Sequence, residues 1–251
     1  MKILRFTDKS QTIRYGWMHK NMIGLIEGNI FGEYMRLEAD IPIEKVSILS
    51  PVQPGKIICM ARNYIDHARE RDVEIPETPM IFLKPPSAVI PAGTDIILPP
   101  QSEHVDHEAE LAVVIGKTGR WLESETIKDH ILGYTIANDV TARDLQKNDG
   151  QWTRAKGFDT FCPMGPWIET ELEPSDVLIT CRVNGELRQM ASTKEMIFSI
   201  QQIVAYISSV MTLDPGDVIL TGTPVGVGVL EAGDDVEIEI EGIGVLRNSV
   251  K

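Results

Sequence analysis

Short segments in which hydrophobic and polar positions alternate, and short continuous apolar runs, recur along the chain, and both patterns are typical of β-strands. Alternating pieces such as "IRYGWM" and "MIGLIEGNIF" occupy the first 50 residues, and apolar runs such as "KIICMA" and "ELAVVIG" follow, separated by turns rich in glycine and proline. Strands outnumber helices and do not alternate with them regularly, so a doubly wound parallel sheet is not expected. The pattern predicts a β-rich α+β fold.

One segment, residues 192–213, has the periodicity of an amphipathic helix. Its apolar side chains recur at helical spacing along one face, namely Met196, Ile197, Ile200, Ile203, Val204, Ile207 and Val210. Ser192 and Glu195 have the spacing of a capping box, so we expect a helix that begins at Ser192 and packs on a sheet. Shorter helices are predicted over residues 63–75, started by Asn63, and from about Ser124 to His130.

The segment "PVQPGK", residues 51–56, is the best candidate for a domain boundary, because it holds two prolines and a glycine within six positions. The strands before it predict a small N-terminal β domain of residues 1–53. The rest of the chain, residues 54–251, is long enough to enclose a large hydrophobic core. We therefore expect two domains of unequal size.

Composition argues against several classes of function. The formal net charge of −13 disfavours a nucleic-acid partner, because such binding depends on a concentrated positive surface. There is no apolar run long enough to span a membrane, and the N-terminal apolar stretch is too short for a secretory signal, so we expect no membrane partner and a cytoplasmic location. Cys59, Cys162 and Cys181 lie far apart among apolar neighbours, which favours reduced thiols in the core.

Two acidic residues open one of the most apolar strands. Glu108 and Glu110 in "HEAELAVVIG" are two positions apart, so in an extended strand they lie on one face. Carboxylates in an apolar environment need a cation or several donors, and oxygen ligands suit a hard ion such as Mg²⁺, Mn²⁺ or Ca²⁺. Asp139, which ends another apolar strand, is a candidate third ligand. Spacing alone equally allows solvated strand ends. His104 and His107 either add a second pair of ligands, or line the site or pack locally.

Two further pairs have the spacing of one helical turn. His67 and Glu70 are three positions apart, so the carboxylate could orient the imidazole as a general base; the alternative is a pair of solvated charges. Arg143 and Gln146 are also three apart, and they either hold a substrate carboxylate or form a structural pair.

Two other positions place polar groups among small and apolar residues. Lys156 is either a partly buried lysine that stabilises developing negative charge or an exposed surface residue. Thr221 to Thr223 in "TGTP" follow a strand, and their hydroxyls and backbone amides either bind an anion or only form a turn. The residue types leave both alternatives open at each position.

Seven motifs, taken in order, closely resemble those of the fumarylacetoacetate hydrolase family: "ARNYIDHARE", "IFLKPPSAVI", "HEAELAVVIG", "NDVTARDLQ", "WTRAKGFDTFCPMGP", "VNGELRQ" and "DVILTGTPVGVG". The resemblance extends from about residue 54 to the end. It is particularly clear for short members, which include acylpyruvate hydrolases, oxaloacetate decarboxylases and 2-hydroxyhepta-2,4-diene-1,7-dioate isomerases. It implies a mixed β-sandwich roll in the larger domain, a homodimer, and bound Mg²⁺ or Mn²⁺.

The resemblance also implies a role for each candidate residue. The metal ligands would be Glu108, Glu110 and Asp139; the catalytic residues would be His67, Glu70 and Lys156; and the substrate-binding residues would be Arg62, Tyr64, Arg143, Gln146, Thr221, Gly222 and Thr223. Ala61 departs from the family pattern, in which glycine commonly precedes Arg-Asn-Tyr, so the resemblance defines the chemistry of the lid better than its hinge. Substrate preference is expected to depend on lid residues near 71–79.

The implied substrate is a small 2-oxo acid that chelates the ion through its keto oxygen and one carboxylate oxygen. Cleavage of the adjacent carbon–carbon bond would leave a pyruvate enolate stabilised by the ion and Lys156, as in an acylpyruvate hydrolase or an oxaloacetate decarboxylase. The alternative is an isomerase or tautomerase of 2-hydroxyhepta-2,4-diene-1,7-dioate or similar 2-oxo diacids, which uses the same enolate. A non-catalytic metal-dependent binding protein is a third reading, although it would not need the base pair of His67 and Glu70.

Overall fold

The computed structural model describes residues 1–8, 11–70, 74 and 76–251. The predicted β-rich α+β fold is confirmed. In chain order the strands are β1 (Lys2–Thr7), β2 (Ile13–His19), β3 (Met22–Gly28), β4 (Tyr34–Pro42), β5 (Ser47–Leu49), β6 (Ile57–Ala61), β7 (Met80–Lys84), β8 (Val89–Ile90), β9 (Val105–His107), β10 (Ala109–Ile115), β11 (Ile131–Asn138), β12 (Thr141–Ala142), β13 (Cys162–Glu169), β14 (Leu178–Val183), β15 (Glu186–Ser192), β16 (Val218–Leu220), β17 (Gly228–Val229), β18 (Asp235–Ile240) and β19 (Gly244–Ser249).

Most strands belong to one large mixed sheet. Its order is β4-β3-β2-β1-β13-β11-β10-β16-β6-β7, with β5 paired to β1 and β8 paired to β13. The pairs β16–β6 and β13–β8 are parallel, and the other pairs of this sheet are antiparallel. A four-stranded sheet, β15-β14-β18-β19, and a three-stranded sheet, β12-β9-β17, complete the β-structure of the described residues.

The α-helices are few and short. They are α1 (Ile65–Glu70), α2 (Arg143–Asn148), α3 (Thr153–Lys156) and α4 (Ile200–Val210). Of the helix predicted over residues 63–75, the part from Ile65 to Glu70 is confirmed, whereas residues 71–73 and 75 lie outside the described residues. The segment predicted from about Ser124 to His130 contains only a 3₁₀ turn, Ile127–His130. Among the described residues, none of the helices has the length and apolarity needed to cross a bilayer.

The predicted start of the longest helix at Ser192 is wrong. The capping box of Ser192 and Glu195 does form, but it closes a 3₁₀ turn, and α4 begins only after a second capping box formed by Ser199 and Gln202. Between the two boxes Met196 is extended and Ile197 and Phe198 form a bend, and Asn63 Oδ1 accepts a hydrogen bond from the Phe198 amide at 2.8 Å. This tertiary contact interrupts the helical pattern that Met196 and Ile197 suggest.

The hydrophobic core lies on both faces of the large sheet. Along β6, Ile58 and Met60 face a core shared with the four-stranded sheet and α4, whereas Ile57 and Cys59 face a second core that includes N-terminal residues. The expectation of core thiols is confirmed, because all three cysteines are free and buried.

The N-terminal strands continue the large sheet. β1 pairs with β13, so that Ile3 lies opposite Ile168, and Val52 packs in the same hydrophobic cluster. The N-terminal ammonium is 2.6 Å from Glu169 Oε1 at the end of β13. Strand pairing between β1 and β13 crosses the predicted boundary at residue 53. The division into domains 1–53 and 54–251 therefore stays a prediction.

Candidate metal centre and active site

Strand pairing brings two of the three acids together. β10 and β11 are antiparallel with Ala109 opposite Asn138, so Glu108, just before β10, meets Asp139, just after β11. The Asp139 amide donates to the Glu108 carbonyl at 2.9 Å, and the Glu108 amide donates to Asn138 Oδ1 at the same distance. The convergence of the acids therefore follows from the register of the sheet.

Glu110 completes an acidic triad with Glu108 and Asp139. One carboxylate oxygen from each lies within 4.8 Å of the others. The three residues are buried, with 4%, 1% and 1% of Glu108, Glu110 and Asp139 exposed, so the alternative of solvated strand ends is wrong. Glu110 Oε2 accepts a hydrogen bond from the Gly222 amide at 2.6 Å, which fixes its position.

The surroundings shift the pKa values of Glu108 and Glu110 in opposite directions. Burial raises the pKa of Glu110 well above its usual range, and the charges of Asp139 and Glu108 raise it further. Burial would also raise the pKa of Glu108, but the charges of Arg143 and Lys156 outweigh burial and hold that pKa well below its usual range. Glu110 is thus the acid that lacks sufficient positive charge around it.

Three buried cations contact the triad or its neighbours. Lys156 Nζ lies 2.8 Å from Glu108 Oε2 and 2.5 Å from Asp139 Oδ2. Lys84 Nζ lies 2.7 Å from Asp139 Oδ1. Arg143 pairs with Glu108 through Nη2 and with Asp106 through Nε at 2.7 Å, and its Nη1 donates to Gln146 Oε1 at 2.9 Å.

Lys156 is a cation rather than a neutral amine. Burial would lower its pKa, but the charges of Asp139 and Glu108 outweigh burial and place the pKa above its ordinary value. The surface alternative for Lys156 is wrong, since the residue is 2% exposed. A protonated, buried lysine can donate to an oxygen on which negative charge develops.

The triad fits a hard divalent cation. It offers only carboxylate oxygens, which are the ligands that Mg²⁺, Mn²⁺ and Ca²⁺ prefer. A dication would also supply the positive charge that Glu110 lacks.

The predicted pair of His67 and Glu70 forms on α1. His67 Nδ1 lies 3.1 Å from Glu70 Oε2, and Glu70 Oε1 accepts a hydrogen bond from the Gly226 amide at 3.1 Å. Burial lowers the pKa of His67 below its ordinary value, although the charges of Glu108 and Glu70 oppose this effect. His67 is therefore neutral near pH 7, as a general base must be.

A cavity of about 210 Å³ lies over the triad. It is lined by eight of the residues selected from the sequence, which are Arg62, His67, Glu108, Glu110, Arg143, Gln146, Lys156 and Thr223. Glu70 and Asp139 do not line it, but they contact His67 and Lys156, which do. The structure thus brings the proposed base, two of the three acids, and Arg143 and Lys156 to one cavity.

Tyr64 and most of the "TGTP" turn do not line this cavity. The Tyr64 ring lines a separate hollow with Ile65 and Pro224, and its buried hydroxyl has no hydrogen-bond partner among the described residues. The Thr221 and Thr223 hydroxyls donate to the carbonyls of Leu111 and Ala109, at 2.8 and 2.9 Å. Substrate-binding roles for these residues stay predictions.

Sequence reasoning missed four buried polar residues near the triad. Asp106 has the same strand parity as Glu108 and Glu110, so period-two counting could have identified it. Lys84 ends the apolar strand β7 within a motif already noted. Asn63 and Gln189 had no such signal: Gln189 Oε1 accepts from the Ala109 amide at 3.1 Å, and its Nε2 donates to Thr223 at 2.8 Å.

The two histidines near the acids do not join the triad. His107 is buried, and its Nδ1 lies 3.0 Å from Gln189 Oε1. His104 is half-exposed at its side chain and lies 3.0 Å from Asp106. Neither histidine belongs to the group of residues that could hold the ion, and both pack locally.

Comparisons with known proteins agree with these features. A family model described as fumarylacetoacetate (FAA) hydrolase C-terminal matches residues 56–251, and a model described as Rv2993c-like, N-terminal matches residues 1–51. An uncharacterized protein of Methanocaldococcus jannaschii is 58% identical over 81% of this chain and 86% of its own length. The mitochondrial oxaloacetate tautomerase FAHD2B of Bos taurus is 46% identical over 84% of this chain and 71% of its own length.

A solved structure extends the similarity to the whole fold. The crystal structure of 5-carboxymethyl-2-hydroxymuconate delta-isomerase from Mycobacterium smegmatis superimposes with a TM-score of 0.93 at 43% identity, covering 100% of this chain and 99% of that one. The family's members are enzymes. The shared motifs, the sheet that builds the acidic triad and the match over residues 56–251 establish that this chain belongs to the fumarylacetoacetate hydrolase family.

Proposed function

We propose that this enzyme moves a proton between carbon and oxygen of a small 2-oxo acid, as in keto–enol tautomerisation of oxaloacetate or a related isomerisation. The observation that carries the proposal is that His67, Lys156 and two acids of the triad, Glu108 and Glu110, line one cavity. The similarity to an oxaloacetate tautomerase and to an isomerase of an unsaturated 2-hydroxy diacid supports this reaction over others that share its enolate.

Glu108, Glu110 and Asp139 would hold the ion, Mg²⁺ or Mn²⁺ being the choice that the resemblance implies. When bound, the dication supplies Lewis-acid polarisation of the 2-oxo carbonyl. Arg143 and Gln146, which already contact each other at 2.9 Å, would orient the substrate's 1-carboxylate. Lys156 would donate to the oxygen on which charge develops.

His67 would transfer the proton. Its Nδ1 is engaged by Glu70, so Nε2 is the ring nitrogen that remains for the proton on the carbon next to the carbonyl. Glu70 fixes the ring and stabilises the imidazolium formed when His67 takes that proton. Returning the proton to oxygen or to another carbon completes a tautomerisation or an isomerisation, with no bond between carbons broken.

Carbon–carbon bond cleavage is the second candidate. The pair of His67 and Glu70 favours it specifically, because an imidazole oriented by a carboxylate can also remove a proton from water. Attack of that water on a second carbonyl would make the enzyme an acylpyruvate hydrolase. Loss of carbon dioxide from oxaloacetate needs no water and would leave Glu70 dispensable.

One experiment separates the candidates. The purified enzyme with MgCl₂ is mixed with enolised oxaloacetate and, separately, with acetylpyruvate; loss of enol absorbance and appearance of pyruvate are followed together. A tautomerase accelerates loss of the enol without forming pyruvate, whereas a hydrolase or decarboxylase forms pyruvate. Enol loss at the uncatalysed rate, with pyruvate formed, would overturn the first proposal in favour of the second. Treatment with EDTA should abolish the activity, and Mg²⁺ or Mn²⁺ should restore it.

The homodimer implied by the resemblance remains a proposal as well. Light scattering should give twice the chain mass of 27.9 kDa. The cytoplasmic location stays a prediction.

A further inference from the structure

The charged side chains at the inner end of the cavity already form ion pairs with one another. Lys156 contacts Glu108 and Asp139, Lys84 contacts Asp139, and Arg143 contacts Glu108 and Asp106. A second carboxylate on the substrate, beyond the one at the 2-oxo acid end, would need cations elsewhere in the cavity.

Two further cations line the same cavity, Arg62 and Lys147. Within the described part of the chain, neither side chain forms an ion pair or a side-chain hydrogen bond, in contrast to the three inner cations. Phe82 and Trp152, packed edge to face with ring centroids 5.3 Å apart, form part of the same wall. Phe82 also lies against an inner cation, since its ring centroid is 5.0 Å from Lys156 Nζ. The cavity thus combines apolar surface with two outer cations, Arg62 and Lys147, that form no ion pair among the described residues.

The backbone conformation of Arg62 is fixed by contacts of the neighbouring residue. Its φ of 57° lies in the left-handed region, which is unfavourable for a residue with a side chain. Asn63, 0% exposed, maintains this conformation: its Nδ2 donates to the Thr221 carbonyl at 2.8 Å, and its carbonyl accepts from the Ile197 amide at 2.8 Å. A strained backbone fixed by several buried hydrogen bonds is typical of functional sites.

Helix α2 sets the distance between the inner and outer cations. Arg143 and Lys147 are four residues apart on α2, so they share a face and are separated by about 6 Å along the axis. Gln146 lies beside them and also lines the cavity. This separation is comparable with that between the two carboxylates of a short dicarboxylic acid.

We propose that Arg62 and Lys147 bind a second, distal carboxylate of the substrate, and that they select 2-oxo dicarboxylates over 2-oxo monocarboxylates. The inference rests on the proposed function, since it assumes that the triad and Arg143 hold the 2-oxo acid end. It assigns substrate selection to two side chains outside the metal-binding and proton-transfer groups.

Equilibrium binding to the magnesium-loaded protein, measured by titration calorimetry, tests the inference without turnover. The probes are 2-oxoglutarate and 2-oxopentanoate, 2-oxo acids of equal chain length that end in a carboxylate and a methyl group. Oxalate, which has no distal end, is the reference ligand. We expect the wild-type protein to bind 2-oxoglutarate roughly tenfold more tightly than 2-oxopentanoate, the scale of one charge-assisted hydrogen bond.

The variants separate charge recognition from a structural role. Lys147→Gln should reduce the preference about threefold, the scale of one partly exposed charge pair, whereas Lys147→Arg should retain it. Arg62→Gln should reduce the preference for 2-oxoglutarate by more than Lys147→Gln does. Lys117→Gln, at an exposed lysine outside the cavity, is the matched control and should leave the preference unchanged. The Kd of oxalate should be the same in all of these proteins.

The outcomes distinguish this inference from the proposed function. No preference in the wild-type protein, or an unchanged preference in both Lys147→Gln and Arg62→Gln, overturns the distal site while oxalate still binds. Equal loss of affinity for 2-oxoglutarate and oxalate would also overturn it, because that result indicates a general structural effect. If oxalate does not bind the magnesium-loaded wild-type protein, the proposed function itself fails.

Discussion

At the residue scale, Glu110 shows how a binding site is maintained at a cost in stability. Its carboxylate is buried beside Glu108 and Asp139, and burial raises its pKa well above the usual range. Ionised Glu110 therefore destabilises the folded chain, and it must be ionised to bind a cation. A neutral side chain of the same shape would remove this cost.

Glu110→Gln should stabilise the metal-free protein and abolish its response to magnesium. We expect its Tm at pH 8 to exceed that of the wild-type protein by about 3 °C or more, because the substitution removes a buried, repelled charge. Since the pKa of Glu110 is raised in the folded state, the destabilisation grows as pH rises above the unfolded value, so the difference in Tm should be smaller at pH 5. Differential scanning calorimetry with EDTA measures both values.

Magnesium provides the second half of that test. Addition of MgCl₂ should raise the Tm of the wild-type protein and of Glu123→Gln, an exposed control, but not that of Glu110→Gln. A variant less stable than the wild-type protein in EDTA at pH 8 would mean that the hydrogen bond from Gly222 outweighs the repulsion.

Period-two counting was sufficient to place Glu108 and Glu110 together, and the apolar lead-in identified Asp139. The same counting could not show that Lys84 and Lys156 approach Asp139, because they come from a distant strand and from α3. Side chains that converge from separate elements depend on sheet order, which local patterns do not encode. Asn63 is a further example, since its partners Thr221 and Phe198 are more than a hundred residues away in the sequence.

At the scale of elements, the short helix α1 presents the pair of His67 and Glu70 to the cavity. The helix has only six residues, so contacts outside it must hold it in place. Glu70 provides one of these contacts, because it bridges His67 and the Gly226 amide. The same carboxylate therefore orients the base and anchors the helix.

Glu70→Gln should lower kcat about a hundredfold while leaving the Kd for Mg²⁺ nearly unchanged. The hydrogen bond that His67 donates to Glu70 raises the pKa of His67 against the larger effect of burial, so its loss should move the acid limb of the pH–kcat profile to lower pH. Steady-state kinetics from pH 5 to pH 8 provide this measurement. Unchanged kcat with intact magnesium binding would exclude Glu70 from the reaction.

Helix α4 carries a second prediction at this scale. Ser199→Ala should lower the free energy of unfolding by about 1 kcal/mol, because the Ser199 hydroxyl accepts the Gln202 amide at the true start of the helix. Ser209→Ala, near the exposed end of α4, is the matched control and should have a smaller effect. Urea denaturation measures both values, and equal effects of the two substitutions would contradict the assignment of Ser199 as the N-cap.

The sequence contains two capping-box patterns ahead of this helix, and helical periodicity alone selected the wrong one. Ser192 and Glu195 do form a capping box, as predicted, but it closes a 3₁₀ turn, and Met196 begins a non-helical connection. The decisive interaction is the pairing of Ile197 and Phe198 with Asn63, a contact between segments far apart in the sequence. Local patterns thus predicted the existence and face of α4 correctly, and misplaced its first residue.

At the scale of the whole molecule, the large sheet joins the N-terminal strands to the strands that carry the acids. β1 pairs with β13, which pairs with β11, and β11 ends at Asp139. The β-rich class and the roll implied by the motifs were therefore accessible from the sequence. The continuity of the sheet across residue 53 was not, because proline-rich segments mark turns and do not reveal which strands pair across them.

Residues 54–251 expressed alone should be markedly less stable than the full chain. Removing β1 would leave the edge of β13 unpaired and would expose the cluster that Ile3 and Val52 share with Ile168. We expect the fragment to aggregate or to melt well below the full chain, and the full chain to unfold in one calorimetric transition. Two separate transitions, or a fragment as stable as the full chain, would contradict this expectation.

The parallel pair formed by β6 and β16 has a consequence for how the enzyme responds to its ion. Because these strands run in the same direction, the backbone leading to α1 and the turn whose Gly222 amide holds Glu110 leave the sheet side by side, joined by Asn63 and Thr221. We therefore expect a cation that draws in Glu110 to influence how firmly the helix bearing the base is seated. By thermodynamic reciprocity, a ligand that seats this helix must strengthen the binding of the ion by the same free energy, so substrate and magnesium should each increase the affinity for the other.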